Sequence, residues 1–183
     1  MQKKLKANRP VKPRTTEALT LEQVRALLTA AEGEMQTLVL LGATTGQSFR
    51  DLLALRWERV DMAKRVIRFY ALKTLRKVVV PMTEELRAHL EQLADAGEDA
   101  LVLPGLGKGN WTAIEQQFGR LVEKVGLRGT SFRALRVTFV HQLQMASTTP
   151  AEVMAVLAHV KGTEKEKGDF GLADVIAKLP PLK

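Results

Sequence analysis

The stretch Thr130–His159, TSFRALRVTFVHQLQMASTTPAEVMAVLAH, predicts two consecutive helices. A hydroxyl from Thr130 or Ser131 can cap the first helix, because a side-chain oxygen there accepts from an orphan backbone N–H. Thr149 can cap the second helix, and Pro150 suits its first position, where the missing N–H does no harm. The apolar residues of both helices recur with the helical period and define the sides that face a core: Leu135, Val137, Phe139, Val140, Leu143, Val153, Val156 and Leu157.

Two arginines of the first helix suggest an anion site. Arg133 and Arg136 stand three residues apart, so they are neighbours on one helical face. Two guanidinium groups aimed the same way repel each other unless they share an anion, and a phosphate suits them because its oxygens accept a bidentate fork. His159, at the end of the second helix, could donate to the same anion. The alternative interpretation is a solvated arginine face and a surface histidine.

Composition narrows the class of partner. The chain has 183 residues, of which 45% are hydrophobic, which suits one domain with a real core. There are 28 Lys+Arg against 20 Asp+Glu, and the net charge of +8 favours polyanions, nucleic acid first. The absence of cysteine excludes a disulfide scaffold and a thiolate metal site. No apolar run reaches transmembrane length, so we expect a cytoplasmic protein with no membrane partner, associated with the nucleoid if it binds DNA.

The rest of the chain predicts one mainly helical domain. Residues 1–17 are basic and contain two prolines, and they are interpreted as a flexible arm or linker, either touching phosphates or merely solvated. Residues 18–183 are predicted to form a single α+β domain with a small antiparallel sheet of two or three strands. The predicted elements begin with a helix opened by the capping box of Thr20 and Gln23, a core helix over Met35–Ala43, and a hairpin of Val66–Tyr70 with Lys77–Pro81. They continue with a helix capped by Thr83 that runs to about Leu93, a helix over Trp111–Val125 capped by Asn110, and a final helix over Leu172–Leu179.

Several motifs occur in the order that the tyrosine recombinases and phage-type integrases show. Arg133-Ala-Leu-Arg136 and Leu157-Ala-His159 resemble the family's H-x-x-R and L-G-H signatures. The segment Thr45–Trp57 resembles T-G-x-R-x-x-E/D-L-x-x-L-x-W, and Ala71–Arg76 resembles the K-T-G-K turn. The resemblance covers the chain from about Leu19 onward and implies a recombinase catalytic core.

The resemblance also implies which residues would act. In the family, a tyrosine attacks a DNA phosphodiester to form a 3′-phosphotyrosyl intermediate, arginines and histidines stabilise the phosphoryl charge, and a lysine is the general acid. By position, Lys73, Arg136 and His159 match that machinery, and Arg133 stands where histidine is usual.

Two departures from the family pattern predict impaired cleavage. Ser48 occupies the position of the first arginine, and Arg50 lies two residues on, about 200° around a helix, so loss of this arginine is favoured over replacement by Arg50. A shift at the helix start could still bring Arg50 toward the site. The nucleophile position holds Gly168, and the nearby Phe170 has no hydroxyl.

The function implied is a degenerate recombinase core that keeps a basic, DNA-facing surface. Double-stranded DNA is the expected partner, copies of the chain could pair on it in the manner of the family, and no cofactor or metal is expected. The family's N-terminal clamping domain has no room in this chain, which would then be a fragment or a solo domain. A helical protein-interaction module is the alternative function. A third alternative is an unrelated enzyme that acts on phosphate compounds through Arg133, Arg136 and His159. It is less favoured, because the sequence has no metal-ligand cluster or paired-carboxylate motif.

Overall fold

The computed structural model describes residues 16–71, 76–93, 100–146, 149–150, 153, 172–177 and 179–182. Helices dominate this part of the chain, and three strands form one antiparallel sheet, so the α+β class predicted from the sequence is confirmed. The elements within these ranges are helices α1 (Leu21–Ala30), α2 (Gly33–Thr45), α3 (Phe49–Leu53), α4 (Glu84–Glu91), α5 (Pro104–Gly107), α6 (Trp111–Lys124), α7 (Arg133–Met145) and α8 (Leu172–Ala177), a 3-10 turn (Trp57–Arg59), and strands β1 (Val60–Asp61), β2 (Val66–Ala71) and β3 (Arg76–Pro81).

Helix α2 is the centre of the core. Every residue from Thr37 to Thr45 is buried, which matches its nearly uninterrupted apolar sequence. The helix packs against α7 so closely that a side chain at Gly42 would meet the Phe132 ring at 2.7 Å. The sequence predicted this central helix, and the structure extends it at both ends.

The sheet shows the alternation predicted for the hairpin. Strands β2 and β3 pair antiparallel, with Ile67 opposite Val80 and Phe69 opposite Val78 on the buried face. Strand β1 adds two residues at the edge of β2, giving the order β1-β2-β3. The turn that joins β2 to β3 lies outside the described residues.

The start of α7 differs from the prediction that a hydroxyl of Thr130 or Ser131 caps it. The residue at the cap position is Phe132, which already has helical backbone angles and makes no capping bond through its side chain. Its ring packs edge-on against Phe118 and Phe49, at centroid distances of 5.1 and 4.9 Å. An extended cap would move this ring out of its contacts, so aromatic packing decides where α7 begins. The predicted capping role was wrong.

The other predicted helix starts are confirmed where the structure describes them. Thr20 and Gln23 form the reciprocal capping box, and the side chains of Thr83 and Asn110 accept from the first turns of α4 and α6. The helix after α7 begins at Pro150, and the buried Val153 donates its N–H to the carbonyl of residue 149 at 3.1 Å.

Hydrogen bonds join both ends of the described chain to the helices of the core. The Leu19 N–H donates to Thr138 Oγ1 at 2.7 Å, which holds the entry to α1 against α7. At the other end, the Leu182 N–H donates to Glu85 Oε1 at 2.8 Å, and α8 buries Ile176. Within the described ranges, none of the helices is long and apolar enough to cross a bilayer.

Candidate functional site

The centre of the candidate site is a contact between α7 and the end of α2. Arg136 is half-buried, and its Nη1 donates to the carbonyl of Gly46 at 2.8 Å. Gly46 ends α2 in the left-handed conformation, with φ of 62°, and a Cβ there would run into the ring of Phe139. Position 46 therefore requires glycine for two reasons, the left-handed backbone conformation and the space that the Phe139 ring occupies. The carbonyl of Gly46 fixes the orientation of the Arg136 guanidinium.

Ser48, which replaces the expected arginine, lies in the turn just beyond this contact. Its hydroxyl accepts from the Asp51 N–H at 3.3 Å and donates to Asp51 Oδ2 at 2.5 Å, so it caps α3. The position where the family pattern has a cation thus carries a neutral side chain that is engaged in local structure.

Opposing electrostatic effects act on Arg136. Burial lowers the pKa of its guanidinium below the usual value, the Asp51 carboxylate raises it, and the positive charge of Arg133 lowers it again. Arginine remains charged throughout the physiological range. The positive charges of Arg133 and Arg136 thus act on each other, and the Asp51 carboxylate partly offsets them.

Arg133 and Arg136 come together on α7, as their spacing predicted, but at different depths. Arg133 is exposed, whereas Arg136 reaches inward to the turn of Gly46. The two guanidinium groups therefore lie at different depths, that of Arg136 half-buried and that of Arg133 at the surface. Such a pair can hold two oxygens of one phosphate, or two neighbouring phosphates. Their catalytic roles remain a prediction.

Arg50 contacts a different element. Its guanidinium carbon lies 4.8 Å from the centre of the Trp111 ring on α6, a cation–π geometry. The neighbouring Phe49 packs edge-on against the same indole at 4.6 Å and also against Phe132. Arg50 is thus held beside the start of α7 by an aromatic cluster that sequence reasoning missed. These rings are distant in the chain, and no spacing rule connects them.

The remaining predicted site residues lie outside the described residues: Lys73, His159, Gly168 and Phe170. Of the two described histidines, His89 belongs to the scaffold, since its Nε2 lies 2.8 Å from the Oγ1 of the buried Thr37 and ties α4 to α2. In the part of the chain that the structure covers, no three histidine or acidic side chains are grouped so that they could hold a metal ion.

Comparison with known proteins identifies the relatives of this fold. Residues 17–164 match the family model described as the phage integrase family. The integrase from mycobacterium phage Brujita superposes with a TM-score of 0.75 at 20% identity, covering 97% of this chain and 63% of that one. The XerA recombinase gives 0.70 at 19%, covering 92% and 62%.

The Tn1549 transposon integrase, in a structure with a circular intermediate DNA, gives a TM-score of 0.66 at 20% identity and covers 88% of this chain and 62% of that one. The chain therefore spans less than two thirds of the length of these three structures. No curated protein is significantly similar to the sequence.

Proposed function

Because the chain belongs to the phage integrase family, we propose that it binds duplex DNA and holds a backbone phosphate with the guanidinium groups of Arg133 and Arg136. The single observation that carries this proposal is the half-buried Arg136, oriented by the Gly46 carbonyl at 2.8 Å and flanked by a second guanidinium. The DNA complex of the Tn1549 integrase, which has the same fold, supports the choice of partner.

A cation held in this way can bind a phosphate as well as a carboxylate, and membership of the phage integrase family makes a DNA phosphate the partner that we propose. A phosphodiester offers two outward oxygens to the planar fork of a guanidinium, and backbone contacts of this kind supply most of the affinity in DNA binding. The net charge of +8 acts in the same direction over a longer range and raises the rate of encounter with DNA.

We further propose that strand cleavage is impaired in this chain. Ser48 places a neutral hydroxyl where a charge-stabilising arginine belongs, and loss of one such donor typically costs about 10²–10³ in rate. The nucleophile position holds Gly168, and the one tyrosine, Tyr70, lies on strand β2. Without a hydroxyl at the expected position, the covalent route is removed altogether.

Equilibrium binding tests the first part of the proposal. Fluorescence anisotropy of a labelled duplex of about 25 base pairs should show log K falling with log salt, at about −0.9 per phosphate neutralised. Arg136→Gln should weaken binding about tenfold and reduce the slope by about one. A binding constant that does not change between low and moderate salt would exclude a phosphate-based contact, and no binding at low salt would favour the alternative function, a protein-interaction module.

A nicked suicide duplex tests the second part. We expect no covalent protein–DNA adduct on denaturing gels after prolonged incubation. An adduct would show that a nucleophile exists elsewhere in the chain. Tyr70→Phe would then decide whether the only tyrosine supplies it.

We also propose that several copies assemble on DNA inside the cytoplasm, at the nucleoid. The support is a related structure, a lambda integrase tetramer bound to a Holliday junction. Light scattering after size-exclusion chromatography, with and without duplex, should show a larger assembly only with DNA. A mass equal to one protein per duplex at all ratios would contradict this assembly.

A further inference from the structure

We propose that a cavity beneath the C-terminal segment, residues 172–177 and 179–182, binds a small amphiphile with a linear apolar chain and a carboxylate head. The cavity has a volume of about 610 Å³ and lies between helices α1 and α7 on one side and the C-terminal segment on the other. Protein cores seldom leave voids larger than a water molecule, whereas ligand pockets measure about 300–1,000 Å³. The space is therefore of the size that small ligands occupy.

The inner wall of the cavity is aliphatic. Val24 of α1 and Met82 after β3 are buried there, and the buried Ile176 and Leu182 line it from the C-terminal segment. The described residues that line the cavity include no aromatic ring, so a planar ligand has no surface on which to stack. A flexible alkyl chain matches this wall better than a nucleobase or another aromatic ring.

Two threonine hydroxyls in the same wall are already engaged. Thr44 Oγ1 donates to the carbonyl of Leu40 at 2.7 Å, and Thr138 Oγ1 donates to that of Ala134 at 2.8 Å. Because a hydroxyl has one hydrogen to donate, neither threonine can donate a second bond to a ligand. A carboxylate placed against this wall would lack a donor, so the charged end of a ligand belongs at the mouth of the cavity.

Hydrogen bonds hold the C-terminal segment in place as one wall. Arg25 Nη2 donates to the carbonyl of Pro181 at 2.8 Å, and the Leu182 N–H donates to Glu85 Oε1 at 2.8 Å. Pro180 and Pro181 also line the cavity, and their rings restrict the backbone on this side. The wall is therefore supported from α1 and α4, which opposes its collapse into the space.

The charged side chains at the mouth favour an anionic head group. Lys64 and Arg65 line the mouth from the turn between β1 and β2, and Glu84 lines it from the start of α4. The two oxygens of Glu84 accept from Arg87 Nε at 3.1 and 3.2 Å, whereas the contact of Glu84 with Arg65 is longer, at 3.5 Å. Glu85, the other acidic residue of the lining, accepts a backbone N–H.

The neighbouring Asp61 does not remove this excess of positive charge. It acts electrostatically with Lys64, but its carboxylate is bonded to Arg68 at 2.9 Å. Each acidic group around the mouth is thus engaged locally, and Lys64 and Arg65 are the cations placed to pair with a ligand carboxylate. An aliphatic interior with cations at its opening matches a single-chain fatty acid.

The test is isothermal titration calorimetry of the full chain with octanoate, decanoate and dodecanoate below their micellar concentrations. Each added methylene group should tighten binding about fourfold until the cavity is filled, because each one leaves water for an aliphatic wall. Dodecyltrimethylammonium, which has the same chain and the opposite charge, should bind about tenfold more weakly than dodecanoate, because it meets Lys64 and Arg65.

Two variants with matched controls locate the site. Lys64→Gln should weaken dodecanoate binding about fivefold, whereas Lys108→Gln removes an exposed lysine that does not line the cavity and should leave the affinity unchanged. Ala177→Phe narrows the cavity from α8 and should weaken binding about tenfold, whereas Ala113→Phe changes an exposed alanine of α6 and should have no effect. Thermal unfolding verifies that all four variants keep the fold.

Saturable binding that strengthens with chain length, prefers the carboxylate and is weakened only by the two cavity variants supports the assignment. Absence of binding by the parent chain would overturn it, as would equal affinity for the two head groups. Equal losses in a cavity variant and its control would also overturn it, because adsorption to the basic surface would then explain the signal. The proposed function does not depend on this result, since duplex binding is measured separately.

Discussion

Replacement of Gly46 by alanine should perturb the fold and the candidate site together. Gly46 has φ of 62°, and an L-residue in this left-handed region costs about 1–2 kcal/mol. The added Cβ would also collide with the ring of Phe139, which is fully buried and cannot retreat without moving the core. Overpacking of this kind adds about 1–3 kcal/mol. The expected loss in unfolding free energy is therefore about 2–5 kcal/mol.

The chain provides a matched control for this substitution. Gly33 has a similar φ of 55°, but no atom lies within 4 Å of a Cβ built there. Gly33→Ala therefore carries the backbone strain without the collision, and both variants share the same change in the unfolded chain. The difference between the two variants isolates the contact with Phe139, which we expect to contribute about 1–3 kcal/mol.

Urea unfolding followed by circular dichroism measures both losses, and equal m-values in parent and variants would show that the unfolding transition is comparable. In a domain of this size each kcal/mol corresponds to roughly 2–4 °C in Tm, so Gly46→Ala should melt well below Gly33→Ala. Gly46→Ala should also weaken duplex binding several-fold, because the carbonyl that orients Arg136 shifts. Equal stability losses for the two variants would refute the argument that Phe139 closes the space behind this turn.

Three further perturbations have defined outcomes. Ser48→Arg should increase the salt slope of duplex binding by about one, because it adds a cation beside the arginines of α7, and an unchanged slope in anisotropy titrations would contradict this placement. Thr138→Val should cost about 1–3 kcal/mol in urea unfolding, because the Leu19 N–H loses its buried acceptor, and that amide should then exchange faster in hydrogen-exchange measurements. The pKa of Asp61 is held below its ordinary value chiefly by the backbone N–H of Lys64, so its stabilising effect is present above about pH 4 and is lost as the pH falls through the lowered pKa. Asp61→Asn should therefore flatten the decline of unfolding free energy as the pH falls below about 4, and an equally steep decline would contradict this cause.

The sequence predicted those parts of the fold that depend on local periodicity. The apolar run of α2 and the alternation of β2 and β3 are strong signals, because burial selects the same residue types at each repeat. The sequence also predicted the capping residues Thr20, Thr83 and Asn110, because a hydroxyl or amide at a helix start accepts hydrogen bonds from backbone N–H groups within three residues.

Features that depend on contacts between distant segments could not be predicted from the sequence. The start of α7 is set by Phe132 packing against rings from α3 and α6, so the nearby hydroxyls gave the wrong cap. The position of Arg50 depends on Trp111 in the same way. The helical spacing of Arg133 and Arg136 was a reliable guide to their proximity, but the acceptor of Arg136, the Gly46 carbonyl, appeared only with the tertiary structure.

Phosphate binding and strand cleavage make different demands on this site. Binding needs cations at fixed positions, and the contact of Arg136 with Gly46 meets that demand without any cation at position 48. Cleavage needs in addition a hydroxyl nucleophile and full charge stabilisation in the transition state. Ser48 removes a cation from the family pattern, yet its bonds to Asp51 keep α3 capped and the turn in place. We therefore propose that the substitution weakens the cleavage chemistry while leaving the scaffold intact, and this separation is what a DNA-binding role without efficient cleavage requires.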